Sequence, residues 1–152
     1  MQEKFMREAI KQAKKAALLA EVPVGAVIVK GGKIIARAYN KRRNPHDATG
    51  HAEIAAIKKA CRKTGDFRLT GCDIYVTLEP CAMCAGACIN SRIENIFFGA
   101  YDEKAGCCGT LYNLPADPRF NHRSQVAGEI LHEECAKLLS DFFRAKRQKQ
   151  DK

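Results

Sequence analysis

Two short segments thirty residues apart constrain this chain more than anything else in it: His51-Ala52-Glu53 and Pro80-Cys81-Ala82-Met83-Cys84. Each follows a loop or an extended run and opens a stretch of helical character. Cys81 and Cys84 stand at i and i+3, so both thiols leave the first turn of a helix on one side and can grip a single metal ion. Zinc favours Cys and His ligands, and a catalytic zinc keeps three protein ligands plus an open position. His51 with the two cysteines makes that set, so the chain must fold in a way that brings two helix starts together. The positive end of each helix dipole also favours thiolate over thiol there.

Glu53 adds the chemistry. It lies two positions past His51, about 200° around a regular helix, so the two cannot both be ligands in mid-helix. At a helix start a carboxylate can instead face a metal-bound water, whose pKa zinc lowers to about 7. It can then take that proton and pass it to a ring nitrogen and a leaving amine. H-x-E followed by P-C-x-x-C is the signature of zinc deaminases. Two other readings of the cysteines stand beside this one. A structural zinc clip would need a fourth ligand, and Cys88 is one turn beyond Cys84; a redox CxxC would leave His51 and Glu53 without a role. Cys61, Cys72, Cys88 and Cys135 read as buried small hydrophobes, and Cys107-Cys108 as packing residues of a Gly-flanked loop. His46, His122 and His132 are not expected to bind metal.

The surrounding elements fit an α/β chain. Helical spacing of Phe5, Ala9, Ile10, Ala13, Ala16 and Ala17 predicts a first helix from Lys4, stopped by Pro23. Val24 to Lys30 and Lys33 to Tyr39 read as a hairpin turned at Gly31-Gly32. A polar loop, NKRRNPHDATG, runs from Asn40 to Gly50, and a helix from His51 to Thr64 ends at Gly65. Strands are expected at Asp73–Leu78 and Asn95–Ala100, with a buried helix, Cys81–Ser91, between them. A long loop follows from Tyr101 to about Ser124, then a helix from Gly128 to Lys149. The two central βα units predict parallel strands beside an antiparallel hairpin, hence a mixed sheet. With 152 residues, 46% of them hydrophobic, one domain with a real core is expected.

Charge divides along the chain. Residues 1–45 carry eleven basic and three acidic groups, residues 46–136 nine and twelve, and residues 137–152 six and two. Basic ends around a slightly acidic middle exclude a uniformly basic protein and allow a polyanion footprint formed by the termini. Lys11, Lys14 and Lys15 interrupt any signal-peptide core, and no stretch approaches the roughly 18 apolar residues of a membrane span. A cytoplasmic location with reduced thiols and no membrane association is therefore expected.

The segments GHAEIAAI, TLEPCAMCAGACINSRI, FGAYDEKAGCCGTL, NHR and LLSDFFRAKR resemble the bacterial tRNA-specific adenosine deaminases over nearly the whole chain. The resemblance implies a three-layer α/β/α cytidine deaminase-like fold with a mixed central sheet. It implies one zinc-dependent deaminase domain over 1–152, with a basic C-terminal helix tail at about 141–152. It also implies a homodimer that deaminates wobble adenosine in the tRNA anticodon loop to inosine. One Zn2+ per subunit would be held by His51, Cys81 and Cys84, with Glu53 as general acid and base. Asn40 matches the residue that hydrogen-bonds the flipped base, and Ala52 falls with it at the substrate. Asp102, Lys104, Asn121 and His122 match positions that hold neighbouring nucleotides; Phe142, Phe143 and Arg144 match the helix bordering the RNA groove. A small-molecule deaminase of the same fold is the alternative enzyme. A zinc-structured RNA-binding protein is the alternative from another class, and Glu53 argues against it.

Overall fold

In the central strands, successive side chains face two different cores. Ala26 and Ile28, Ile74 and Val76, and Ile96 and Phe98 point one way, onto Ala52, Ala56, Ala60, Ala85 and Cys88. Val27, Val29 and Tyr75 point the other way, onto Phe5, Met6, Ala9, Ile10 and Cys135. A sheet buried on both faces needs a helical layer on each, and the computed structural model, which describes residues 2–150, has that α/β/α arrangement. One layer is α1 (Gln2–Leu18) and α4 (His132–Gln150); the other is α2 (Ala52–Thr64) and α3 (Ala82–Asn90).

The strands are β1 (Gly25–Lys30), β2 (Lys33–Tyr39), β3 (Cys72–Leu78), β4 (Asn95–Ala100) and β5 (Gln125–Ala127), in the order β2-β1-β3-β4-β5. β1 runs antiparallel to both β2 and β3, while β3, β4 and β5 are parallel, so the expected mixed sheet is present. Gly31 and Gly32 turn the hairpin with φ of 58° and 76°, the left-handed conformation that a two-residue hairpin turn demands. Because β2, β3 and β4 all point the same way, the loops leaving their C-terminal ends emerge along one edge. That edge carries the site.

Several boundaries differ from expectation. α1 ends at Leu18, well before Pro23: Ala20 adopts φ 59° and the Glu21 N–H returns to the Ala16 carbonyl. The expected start of the last helix at Gly128 is also corrected. Glu129 and Leu131 have positive φ, and the Glu129 and Ile130 N–H groups bond to Gly99 and Phe98 of β4, so the helix starts at His132. β5 was not expected; three residues with only Val126 turned to the core offer no readable alternation. Cys61, expected in the core, is only half-buried, whereas Cys72, Cys88, Cys107, Cys108 and Cys135 are buried. Residues 151–152 of the expected tail lie outside the described residues. No helix among the described residues is long and apolar enough to cross a membrane.

Candidate metal centre and cavity

His51 and Cys81 occupy equivalent places: each is the extended N-cap residue of its helix, α2 and α3, so each helix starts one position later than the sequence suggested. Neither side chain caps its own helix, so both are free to turn toward one another. His51 Nδ1 lies 3.6 Å from Cys81 Sγ and 3.5 Å from Cys84 Sγ. The three donor atoms lie within 4.8 Å of one another, and they form the one such group of three or more metal-ligating side chains among the described residues.

This donor set fits zinc. A tetrahedral ion with bonds of about 2.05 Å to nitrogen and 2.3 Å to sulfur separates its N and S donors by about 3.6 Å, which is the spacing observed. Two thiols and an imidazole are also the ligand chemistry zinc prefers. Cys88 does not join the group; it is buried among α3 core residues, and burial pushes its thiol well above the usual range. His46, His122 and His132 stand apart as well. With three donors and no fourth among the described residues, the arrangement fits an open site and not a structural clip.

The protonation pattern follows from the same contacts. The Cys84 thiol hydrogen-bonds to Cys81, and with His51 it holds the Cys81 thiol down to about 3. Its own proton is then retained well above the ordinary thiol range, with burial acting in the same direction. The Cys81 contact raises His51. Glu53 is 3% exposed, and burial pushes its carboxyl up to about 7. It faces the same cavity without belonging to the donor group. A carboxyl near neutrality beside a metal site can both accept and return a proton.

The cavity holds about 580 Å³, within the range of small-ligand sites. Val22, Val24, Leu78 and Leu139 give it apolar walls, and Asn40, Asp102, Lys104 and Phe143 also line it. Ala52 lies behind the wall: its N–H donates to Asn40 Oδ1 at 2.8 Å, fixing the amide with Nδ2 as the remaining donor. The other expected residues are not brought into this cavity. Asn121 is exposed, and the His122 Nε2–H donates to the Ile93 carbonyl at 2.7 Å. Phe142 lines an adjoining groove with Arg42, Arg43 and Lys146, and Arg144 pairs with Asp141 on the exposed face of α4 at 3.6 Å.

Two buried acids at this edge were missed in the sequence. Glu21 Oε2 accepts the N–H groups of Arg42 and Arg43, at 3.0 and 2.9 Å, holding the loop that follows β2. Glu79, at the end of β3, accepts hydrogen bonds from the loop that follows β4. The readable signal was an acid set in an apolar strand end, TLEPC. Nothing in the sequence shows which loop it holds.

Comparison with known proteins places these features in context. A family model described as MafB19-like deaminase matches residues 1–147. The tRNA-specific adenosine deaminase of Bacillus subtilis (strain 168) is 53% identical over 147 residues, 97% of this chain and 91% of that protein. That of Aquifex aeolicus (strain VF5) is 46% identical over 142 residues, covering 93% of each. A solved structure from a study of A-to-I editing by tRNA:A34 deaminases superposes with a TM-score of 0.86 at 42% identity. It covers 90% of this chain and 99% of that one.

Proposed function

Because the chain belongs to the family of tRNA-specific adenosine deaminases, we propose that it is a zinc-dependent enzyme that hydrolyses wobble adenosine in the tRNA anticodon loop to inosine, releasing ammonia. The observation that carries the reading is the pairing of an open His51, Cys81, Cys84 donor set with Glu53, a buried carboxyl that faces the same cavity and is not a ligand. His51 Nδ1 and the two cysteine sulfurs would hold the ion. Zinc, when bound, supplies the Lewis acidity that makes water a nucleophile at neutral pH.

The protein's own residues do the rest. Glu53 takes a proton from the attacking water and delivers it to the purine ring nitrogen beside C6. A second transfer to the exocyclic nitrogen lets the C–N bond break and ammonia leave. Adenosine and water thus become inosine and ammonia, with Glu53 returned to its starting state. Asn40, held through Oδ1 by the Ala52 N–H, presents Nδ2 to the base and orients it. The apolar walls of Val24 and Leu78 exclude water around the ring, while Tyr101 and Phe143, both partly exposed at the cavity, offer faces on which unpaired bases stack. A base in an anticodon loop is already unpaired, so turning it into the cavity costs little.

The wider reading follows the family. Residues 1–152 act as one catalytic domain in the cytoplasm and as a homodimer with one zinc per subunit, and the basic α4 tail contributes affinity for RNA phosphates. Asp102 and Lys104 contact flanking nucleotides from the cavity wall, Asn121 and His122 from the loop beyond, and Phe142, Phe143 and Arg144 from α4.

The decisive experiment incubates the purified, zinc-loaded protein with an anticodon stem-loop carrying wobble adenosine and measures inosine by nucleoside mass spectrometry. Inosine is expected. No inosine at low salt, together with turnover of a free base or nucleotide, would overturn the reading in favour of a small-molecule deaminase.

A further inference from the structure

Glu79 leaves the end of β3 directly before Pro80-Cys81, and it is 2% exposed. A carboxylate so placed is costly unless its oxygens are hydrogen-bonded. Among the described residues no Lys, Arg or His pairs with it; donors from a single loop satisfy it instead. Oε1 accepts the Asp102 N–H at 3.1 Å and the Thr110 hydroxyl, and Oε2 accepts the N–H groups of Cys108 and Thr110, both at 3.0 Å. The loop passes so close that a Cβ on Gly106 would lie 2.4 Å from the carboxyl carbon of Glu79. The near side of the same loop, Tyr101 to Ala105, is a wall of the catalytic cavity. Asp102 extends the arrangement: its Oδ1 accepts the N–H groups of Lys104 and Ala105, so gripping the Asp102 backbone also sets the turn that presents Lys104.

We infer that Glu79 is a positioning residue for the RNA substrate, holding the 101–105 wall in the shape that receives the nucleotides around the target adenosine; the inference rests on the deaminase reading above. Glu79 is neither a metal ligand nor a proton carrier in this account. Glu79 also lines the cavity, but all four of its hydrogen bonds go to the loop, and it acts through Asp102 and Thr110. An ungripped loop samples other shapes, and apparent affinity falls with the fraction that remains competent. The chemistry of the molecules that do bind is unchanged. The signature is therefore a rise in KM with kcat preserved.

Four zinc-loaded proteins test this on the anticodon stem-loop: wild type, Glu79→Gln, Thr110→Val and Thr110→Ser. Gln turns an amide donor toward N–H groups that need an acceptor, while Val keeps the shape of Thr and removes only the hydroxyl. If about a tenth of the ungripped loop stays competent, Glu79→Gln raises KM about tenfold, Thr110→Val raises it less, and kcat stays within about twofold in both. Thr110→Ser restores the hydroxyl and the wild-type KM, and zinc content is equal in all four. Wild-type KM in both Glu79→Gln and Thr110→Val, or a loss carried by kcat, overturns the inference. If Glu79→Gln does not fold, the Val and Ser pair decides. Absence of inosine from the wild type defeats the functional reading itself, and is seen before any variant is compared.

Discussion

At the floor of the cavity, every side chain of the candidate centre sits within three residues of a helix N-cap, whereas at its rim the residues proposed to meet RNA sit on loops or along an exposed helix. His51 and Cys81 are N-caps of α2 and α3, and Glu53 and Cys84 lie in the turns that follow. The rim is held differently: Glu21 fastens the 40–50 loop by two backbone N–H groups, and Glu79 fastens the 101–110 loop by four hydrogen bonds. The two regions use the same ingredient, a carboxylate removed from water, for opposite ends. At the floor Glu53 faces the cavity, and burial pushes its carboxyl up to about 7. At the rim Glu21 and Glu79 face backbone donors and fix shape.

The harshest test of the floor is Cys84→Ala. It removes one of the three proposed ligands, so zinc measured by atomic emission should fall from one per chain to background and inosine formation with it. Retention of stoichiometric zinc would show that the ligand set lies elsewhere. Glu53→Ala comes next and separates floor from ligand: zinc stays bound while kcat drops by about 10²–10⁴-fold, the usual worth of a positioned proton carrier. Loss of zinc with Glu53 would instead make this carboxylate part of the metal shell.

How far each region was legible in the sequence follows from how it is built. At the floor, the i, i+3 spacing of Cys81 and Cys84 is a statement about helix geometry, and helix geometry is regular, so the spacing translated directly into two sulfurs grouped with His51 Nδ1. β2 was readable to the residue because the Gly31-Gly32 turn bounds it, and the apolar run NIFFGA gave β4 its bounds as well. At the rim no period operates. Glu79 and Thr110 are 31 residues apart and meet only because β3 and β4 are parallel neighbours ending at one edge. The helical pattern beginning at Gly128 misled for a related reason: the Glu129 and Ile130 N–H groups are taken by β4 carbonyls, a tertiary bond that local propensity cannot register. The contact of His122 Nε2 with the Ile93 carbonyl at 2.7 Å is another tertiary bond that a motif does not carry.

Asn40 joins the two regions and should show an intermediate effect. Its Oδ1 is tied to the floor through the Ala52 N–H, while its residue heads the rim loop. Asn40→Ala removes the donor to the base and leaves the Ala52 N–H without its partner, a loss of about 1–3 kcal/mol that corresponds to a roughly 5- to 150-fold fall in kcat/KM. Asn40→Asp separates the two roles, since it keeps the acceptor for Ala52 and loses the donor to the base. Comparable losses in both variants would assign the effect to the base contact; recovery in Asn40→Asp would assign it to the loop.

The smallest effect is expected at the outer rim, where Lys146 faces Arg42 and Arg43 across the groove beside the cavity. A lysine there acts on RNA as a point charge near the phosphate backbone, contributing affinity without reading sequence. Lys146→Ala should weaken binding only a few-fold and equally for stem-loops of different sequence, with kcat unchanged. Its distinctive mark is in salt. Each phosphate contact to single-stranded RNA contributes about 0.7 to the slope of log affinity against log salt, so the variant's slope should be shallower by about that amount. An unaltered slope would make Lys146 an ordinary solvated charge. A fall in kcat would carry more weight, because it would show that charge on α4 reaches the chemistry, and the division between a floor that reacts and a rim that holds would no longer stand.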